Sequence, residues 1–95
     1  MYSNGVAVEK DDDKAFEFYM KSAESGNAEG MCCVGMFYQT GRSVDKDYEK
    51  AMEWYLKAAD AGSKVAMKSI SKMYKNGLGV EKDEKKAQEW YDKSQ

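Results

Sequence analysis

One motif occurs three times at a fixed interval, and that interval constrains the fold more than any other feature. The middle copy runs from Val44 to Ala59 and reads V-D-K-D-Y-E-K-A-M-E-W-Y-L-K-A-A. Copies begin at Val8, Val44 and Val80, which sets a period of 36 residues. Thirteen positions are identical between residues 1–36 and 37–72, and eleven of twenty-three between 37–59 and 73–95. They fall on turn residues, alanines and rings, the positions that fix backbone and packing. A unit of this length cannot bury its own apolar face, so successive copies must stack into a solenoid.

Within the middle copy, Asp47 stands before the periodic residues, where a short acceptor side chain caps free backbone N–H groups. Glu49 places negative charge in the first turn, which the helix dipole favours. The apolar set is Ala51, Trp54, Tyr55, Ala58 and Ala59, one stripe of a 3.6-residue helix. The first copy repeats it as Ala15, Phe18, Tyr19, Ser22 and Ala23, and the third as Ala87, Trp90, Tyr91 and Ser94. This spacing assigns all of these rings to the core. On the opposite face Glu53 and Lys57, Glu17 and Lys21, and Glu89 and Lys93 are spaced as i,i+4 ion pairs.

Read in order, the chain yields about five helices. Met1 to Gly5 read as the tail of a helix closed by Asn4-Gly5, with Val8 in the loop that follows. Helices are expected at about 11–24, 28–40, 47–61, 64–75 and 83–94. Asn27, Asp47 and Ser63 are the expected N-caps, and the glycines at 26, 41, 62 and 77 the expected stops. Val44 and Val80 should fill the gap between the helices that their loops join. Because the chain starts part-way through a repeat, it reads as a single domain over 1–95 (registers 1–36, 37–72 and 73–95) cut from a longer array.

Composition excludes several chemistries. The sequence contains no histidine, so histidine triads, histidine metal sites and histidine bases are ruled out. Its two cysteines, Cys32 and Cys33, are neighbours on a predicted helix, about 100° apart, and read as free thiols that favour a reducing, cytoplasmic compartment. With 17 acids against 15 bases the net charge is −2, which offers no general attraction to nucleic acid or anionic membrane. No apolar run reaches the ~18–20 residues that a membrane span needs, and the first residues lack the pattern of a secretory signal. No metal, cofactor or catalytic constellation is expected. Gly77-Leu78-Gly79 lacks the further glycine and lysine of a phosphate loop and is read as turn chemistry.

The pattern resembles the Sel-one-like repeat (SLR) family of the tetratricopeptide superfamily. The resemblance rests on Gly35, Tyr38, Gly41, Val44, Lys46, Asp47, Lys50, Ala51, Trp54, Tyr55, Lys57, Ala58, Ala59 and Gly62. The third copy adds Tyr74, Gly77, Gly79, Val80, Lys82, Asp83, Lys86, Ala87, Trp90, Tyr91 and Lys93. Ser43, Ala7 and Ser71 depart from family glycines. The resemblance implies an all-α, right-handed α/α superhelix of antiparallel helix pairs acting as a non-catalytic scaffold or adaptor. A cysteine-rich branch of the family is linked to β-lactam binding and hydrolysis through cysteine pairs in each repeat. Those pairs are missing here.

In such a superhelix the first helix of each pair lines the concave side, and positions there that escape the repeat pattern are candidates for binding. They are Glu29, Cys32, Cys33, Met36 and Gln39 on one helix, and Val65, Lys68, Ser69, Lys72 and Lys75 on the next. Met36 and Cys32 suggest a soft apolar patch. Lys64, Lys68, Lys72 and Lys75 form a basic stripe suited to an acidic peptide or a C-terminal carboxylate. The expected partner is a protein or peptide on this face, with end-to-end stacking of copies as the alternative.

Overall fold

The computed structural model describes the backbone of residues 4–95 and the side chains from Asp12 onward. Five helices follow one another: α1 (Asn4–Glu24), α2 (Ala28–Thr40), α3 (Tyr48–Asp60), α4 (Lys64–Asn76) and α5 (Glu84–Lys93). Each packs on the next, α1 on α2 through to α4 on α5, and there are no strands among the described residues. The result is the all-α stack of helix pairs that the 36-residue period requires. Among the described residues no helix is long and apolar enough to cross a membrane.

Local chemistry sets the boundaries. Asn27 accepts a hydrogen bond from the Gly30 N–H, Asp47 from Lys50, Ser63 from Ala66 and Asp83 from Lys86, so four helices open on a side-chain cap. Gly41 and Gly77 are left-handed, with φ of 73° and 68°, and return their N–H groups to the carbonyls of Phe37 and Met73. The loops are then tied identically: the Asp47 N–H donates to the Tyr38 carbonyl and that of Asp83 to Tyr74, both at 2.9 Å. Ser43, where a family glycine is missing, still adopts a φ of 61°, close to the 72° of Gly79 one period later. The loop geometry prevails over the side chain's preference.

The first copy departs from expectation. α1 is helical from Asn4, so the Asn4-Gly5 cap and the Val8 loop do not form. In the later copies that loop hangs on carbonyls of Phe37 and Tyr38, and of Met73 and Tyr74. Their counterparts, Met1 and Tyr2, lie outside the described residues, as does the predicted helix tail.

The core is centred on α3. Ala51, Tyr55 and Ala58 have no exposure, and Ala66, Ile70 and Met73 of α4 close over them with none either. Val80 and Leu78 pack against this cluster, and Val44 is half-buried. The Tyr55 ring lies on Gly35, where an added Cβ would sit 2.8 Å from the ring. Its hydroxyl donates to Gln39 Oε1 at 2.5 Å.

The ring assignments are corrected at both ends. Phe18 is 64 % exposed and Tyr91 is 48 % exposed, because among the described residues α1 packs on α2 alone and α5 on α4 alone. Trp54 and Trp90 are half-buried. The expected i,i+4 ion pairs do not form either: the only ion pair among the described residues joins Arg42 and Asp12, 30 positions apart. Lys57 and Lys93 lie instead over the faces of Trp54 and Trp90, 4.6 and 4.4 Å from the ring centroids. An ammonium over a half-buried indole face gains cation–π attraction, which a pairing with a surface carboxylate does not improve on.

Two stability changes follow. Gly35→Ala drives a methyl group into the Tyr55 ring and should cost about 1–3 kcal/mol, while Ser43→Gly relieves a left-handed residue and should gain roughly 0.5–1 kcal/mol. Thermal melts of the two variants should move in opposite directions.

Candidate protein-binding site

A mainly apolar opening lies between the start of α2 and the start of α4. Ala28, Glu29, Cys32, Cys33, Met36, Ser63 and Val65 line a groove of about 370 Å³. Met36, 45 % exposed, and Val65, 62 % exposed, form its rims. Asn27 and Ser63 position these walls, because each fixes where its helix begins and therefore which residues face across. A second, smaller depression of about 190 Å³ opens on the other side of Cys33 and Met36, against Tyr19, Phe37, Thr40 and Arg42.

Five of the residues singled out in the sequence thus meet at one place: Glu29, Cys32, Cys33, Met36 and Val65. The others do not. Lys68 and Lys72 are exposed on α4 without lining the groove. Lys75 belongs to a separate depression between α4 and α5. Gln39 is half-buried and committed to the Tyr55 hydroxyl. Ser63 and Ala28 were missed as lining residues. Ser63 was legible only as a cap, and its place in the wall depends on how far α4 is shifted against α2.

Burial is the largest cause pushing both thiols above the ordinary cysteine range, and Glu29 adds to it. Protonated thiols are poor nucleophiles, so Cys32 and Cys33 act here as small apolar walls. Among the described residues no three His, Cys, Asp or Glu side chains are clustered to hold a metal ion. The groove therefore offers apolar contact and a carboxylate at Glu29.

A family model, the Sel1 repeat, matches residues 1–27, 28–63 and 65–94. The chain belongs to the Sel1 repeat family. Each of the last two matched units is a helix pair, α2 with α3 and α4 with α5. No curated protein matches in sequence. Among solved structures, a Sel1 repeat protein from Oxalobacter formigenes superposes with a TM-score of 0.84 at 31 % identity, over 87 % of this chain and 24 % of that one. The protein c5321, a protective antigen of uropathogenic Escherichia coli with an SLR fold, gives 0.82 at 30 % identity, over 86 % of this chain and 18 % of that one. Cysteine-rich protein B of Helicobacter pylori gives 0.78 at 30 %, over 83 % and 59 % respectively. The chain thus spans less than two thirds of the length of each. Sel1 repeats commonly serve as protein-interaction scaffolds. Cys32 and Cys33 are both free, so the staples expected of a cysteine-rich member are not formed here.

Tyr55 links the site to the core. Burial is the main cause holding its phenol well above the ordinary tyrosine range. The folded state therefore keeps the proton where the unfolded chain, titrating near pH 10, has lost it. That stabilising contribution is complete below about pH 10 and falls as pH rises further. Melts taken between pH 9 and 12 should show this decline in the parent chain and a shallower one in Tyr55→Phe.

Proposed function

We propose that this Sel1 repeat module is a non-catalytic scaffold that binds a protein segment in the α2–α4 groove on its concave side. One observation carries the reading: two exposed apolar side chains from successive first helices, Met36 and Val65, face the same mainly apolar groove. Grooves of this kind take a partner's apolar anchor and leave polar flanks in water. The exposed Lys68 and Lys72 on α4 favour acidic residues beside that anchor. Protonated, walled-in thiols support a scaffold rather than an enzyme.

The test is a titration of the full chain with peptides that carry one large apolar residue flanked by aspartates, followed by amide chemical shifts. Expected are shifts centred on Cys33, Met36 and Val65, loss of binding by tenfold or more in Val65→Glu, and weaker binding at high salt. Lys68→Glu with Lys72→Glu should cost several-fold and change the melting temperature little. Shifts scattered over the surface, or a Val65→Glu variant that binds normally, would overturn the groove as the site.

A further inference from the structure

Charge is distributed unevenly around the α2–α4 groove. Both walls lie inside the stack, α2 packed between α1 and α3, and α4 between α3 and α5. Glu29, Cys32, Cys33 and Met36 stand at offsets 0, 3, 4 and 7, which is one face of α2. One period later the same offsets on α4 carry Val65, Lys68, Ser69 and Lys72. Of the residues that line the groove, Glu29 alone is charged at neutral pH. It is exposed and outside the only ion pair among the described residues, Arg42 with Asp12. Its field reaches the thiols of both Cys32 and Cys33, where it adds to the effect of burial. Lys68 and Lys72 are exposed as well and equally outside that pair.

We infer that the protein segment bound in this groove is of mixed charge, with a basic residue on the Glu29 side of its apolar anchor and an acidic residue on the side of Lys68 and Lys72. This rests on the groove being the binding site, and it makes Glu29 the residue that sets specificity there. Glu29 lies in the first turn of α2. On α4, Val65 lies in the first turn, and Lys68 and Lys72 follow one and two turns later. The carboxylate and the ammonium groups are therefore offset by about 5–10 Å along the helix axes, roughly two or three residues of extended chain. Met36, Cys33 and Val65 supply the apolar contact. Aspartates on both sides of the anchor suit the lysines, but one of them then meets an unpaired carboxylate in an apolar wall. Arginines on both sides meet the lysines instead. Each like-charged segment is repelled at one end, and only a mixed one is complementary at both. A basic side chain at Glu29 also lays its alkyl stem against the groove while its head pairs with the carboxylate.

The probes are blocked peptides with one leucine anchor, flanked about two residues away by aspartate on both sides, by arginine on both sides, or by one of each in either order. They are titrated into the intact chain by calorimetry, and amide shifts locate them. One mixed peptide should bind about threefold or more tighter than both like-charged ones, the scale of an exposed ion pair. That advantage should shrink at high salt. Glu29→Gln should bring the mixed and aspartate peptides to within about twofold of each other, and Glu29→Lys should make the aspartate peptide the tightest. Glu29 is exposed, so thermal melts should show both variants folded. The inference is overturned if neither mixed peptide binds tighter than the aspartate peptide, or if the advantage survives Glu29→Gln. If no peptide binds, or if all bind Val65→Glu as well as the parent, the groove itself fails and this inference with it.

Discussion

The fit of one phenol ring onto one glycine governs this structure. Tyr55 can lie flat between α2, α3 and α4 only because Gly35 has no Cβ to meet it. That contact sets how closely the helices approach, and the approach lets Ala51, Ala58 and Ala66 exclude water without large side chains. The hydroxyl remains polar inside this dry layer, and Gln39 satisfies it at 2.5 Å. An unsatisfied phenol at such a depth costs about 1–3 kcal/mol. Gln39, expected from the sequence to be free for binding, is therefore a structural partner of the core.

The same logic explains why the surface is uneven along the stack. A repeat protein satisfies each layer with its neighbours, so a change in one copy is felt across the interface. Ser71 in place of glycine binds α4 to α5 through the Ala87 carbonyl and leaves the Tyr91 ring outside. Cys32, Cys33 and Met36 of α2 are replaced one period later, on α4, by Lys68, Ser69 and Lys72. The packing positions keep the register constant while the variable ones change from apolar to basic. An interaction module needs this division, since affinity requires groups that the fold does not consume.

Much of the fold was legible because it depends on local rules. Asp47, Ser63 and Asn27 were identifiable as caps from residue type and position alone, and each accepts the bond expected of it. The candidate groove was legible only in part. Met36 and Val65 could be singled out as breaks in the repeat pattern, but their meeting across a groove depends on the offset between α2 and α4. Gln39 was misjudged because its partner lies 16 residues away, and the Glu–Lys pairs because the competing indole faces were not weighed.

The sequence by itself determined the period, the limits of α2 to α5 and the packing stripe, because capping, turn chemistry and amphipathicity act within a few residues. Only the tertiary structure decided which rings are covered and which side chains remain available. Burial depends on what lies on each flank: Tyr55 has helices on both sides and Tyr91 on one, although the two sit in the same local sequence pattern.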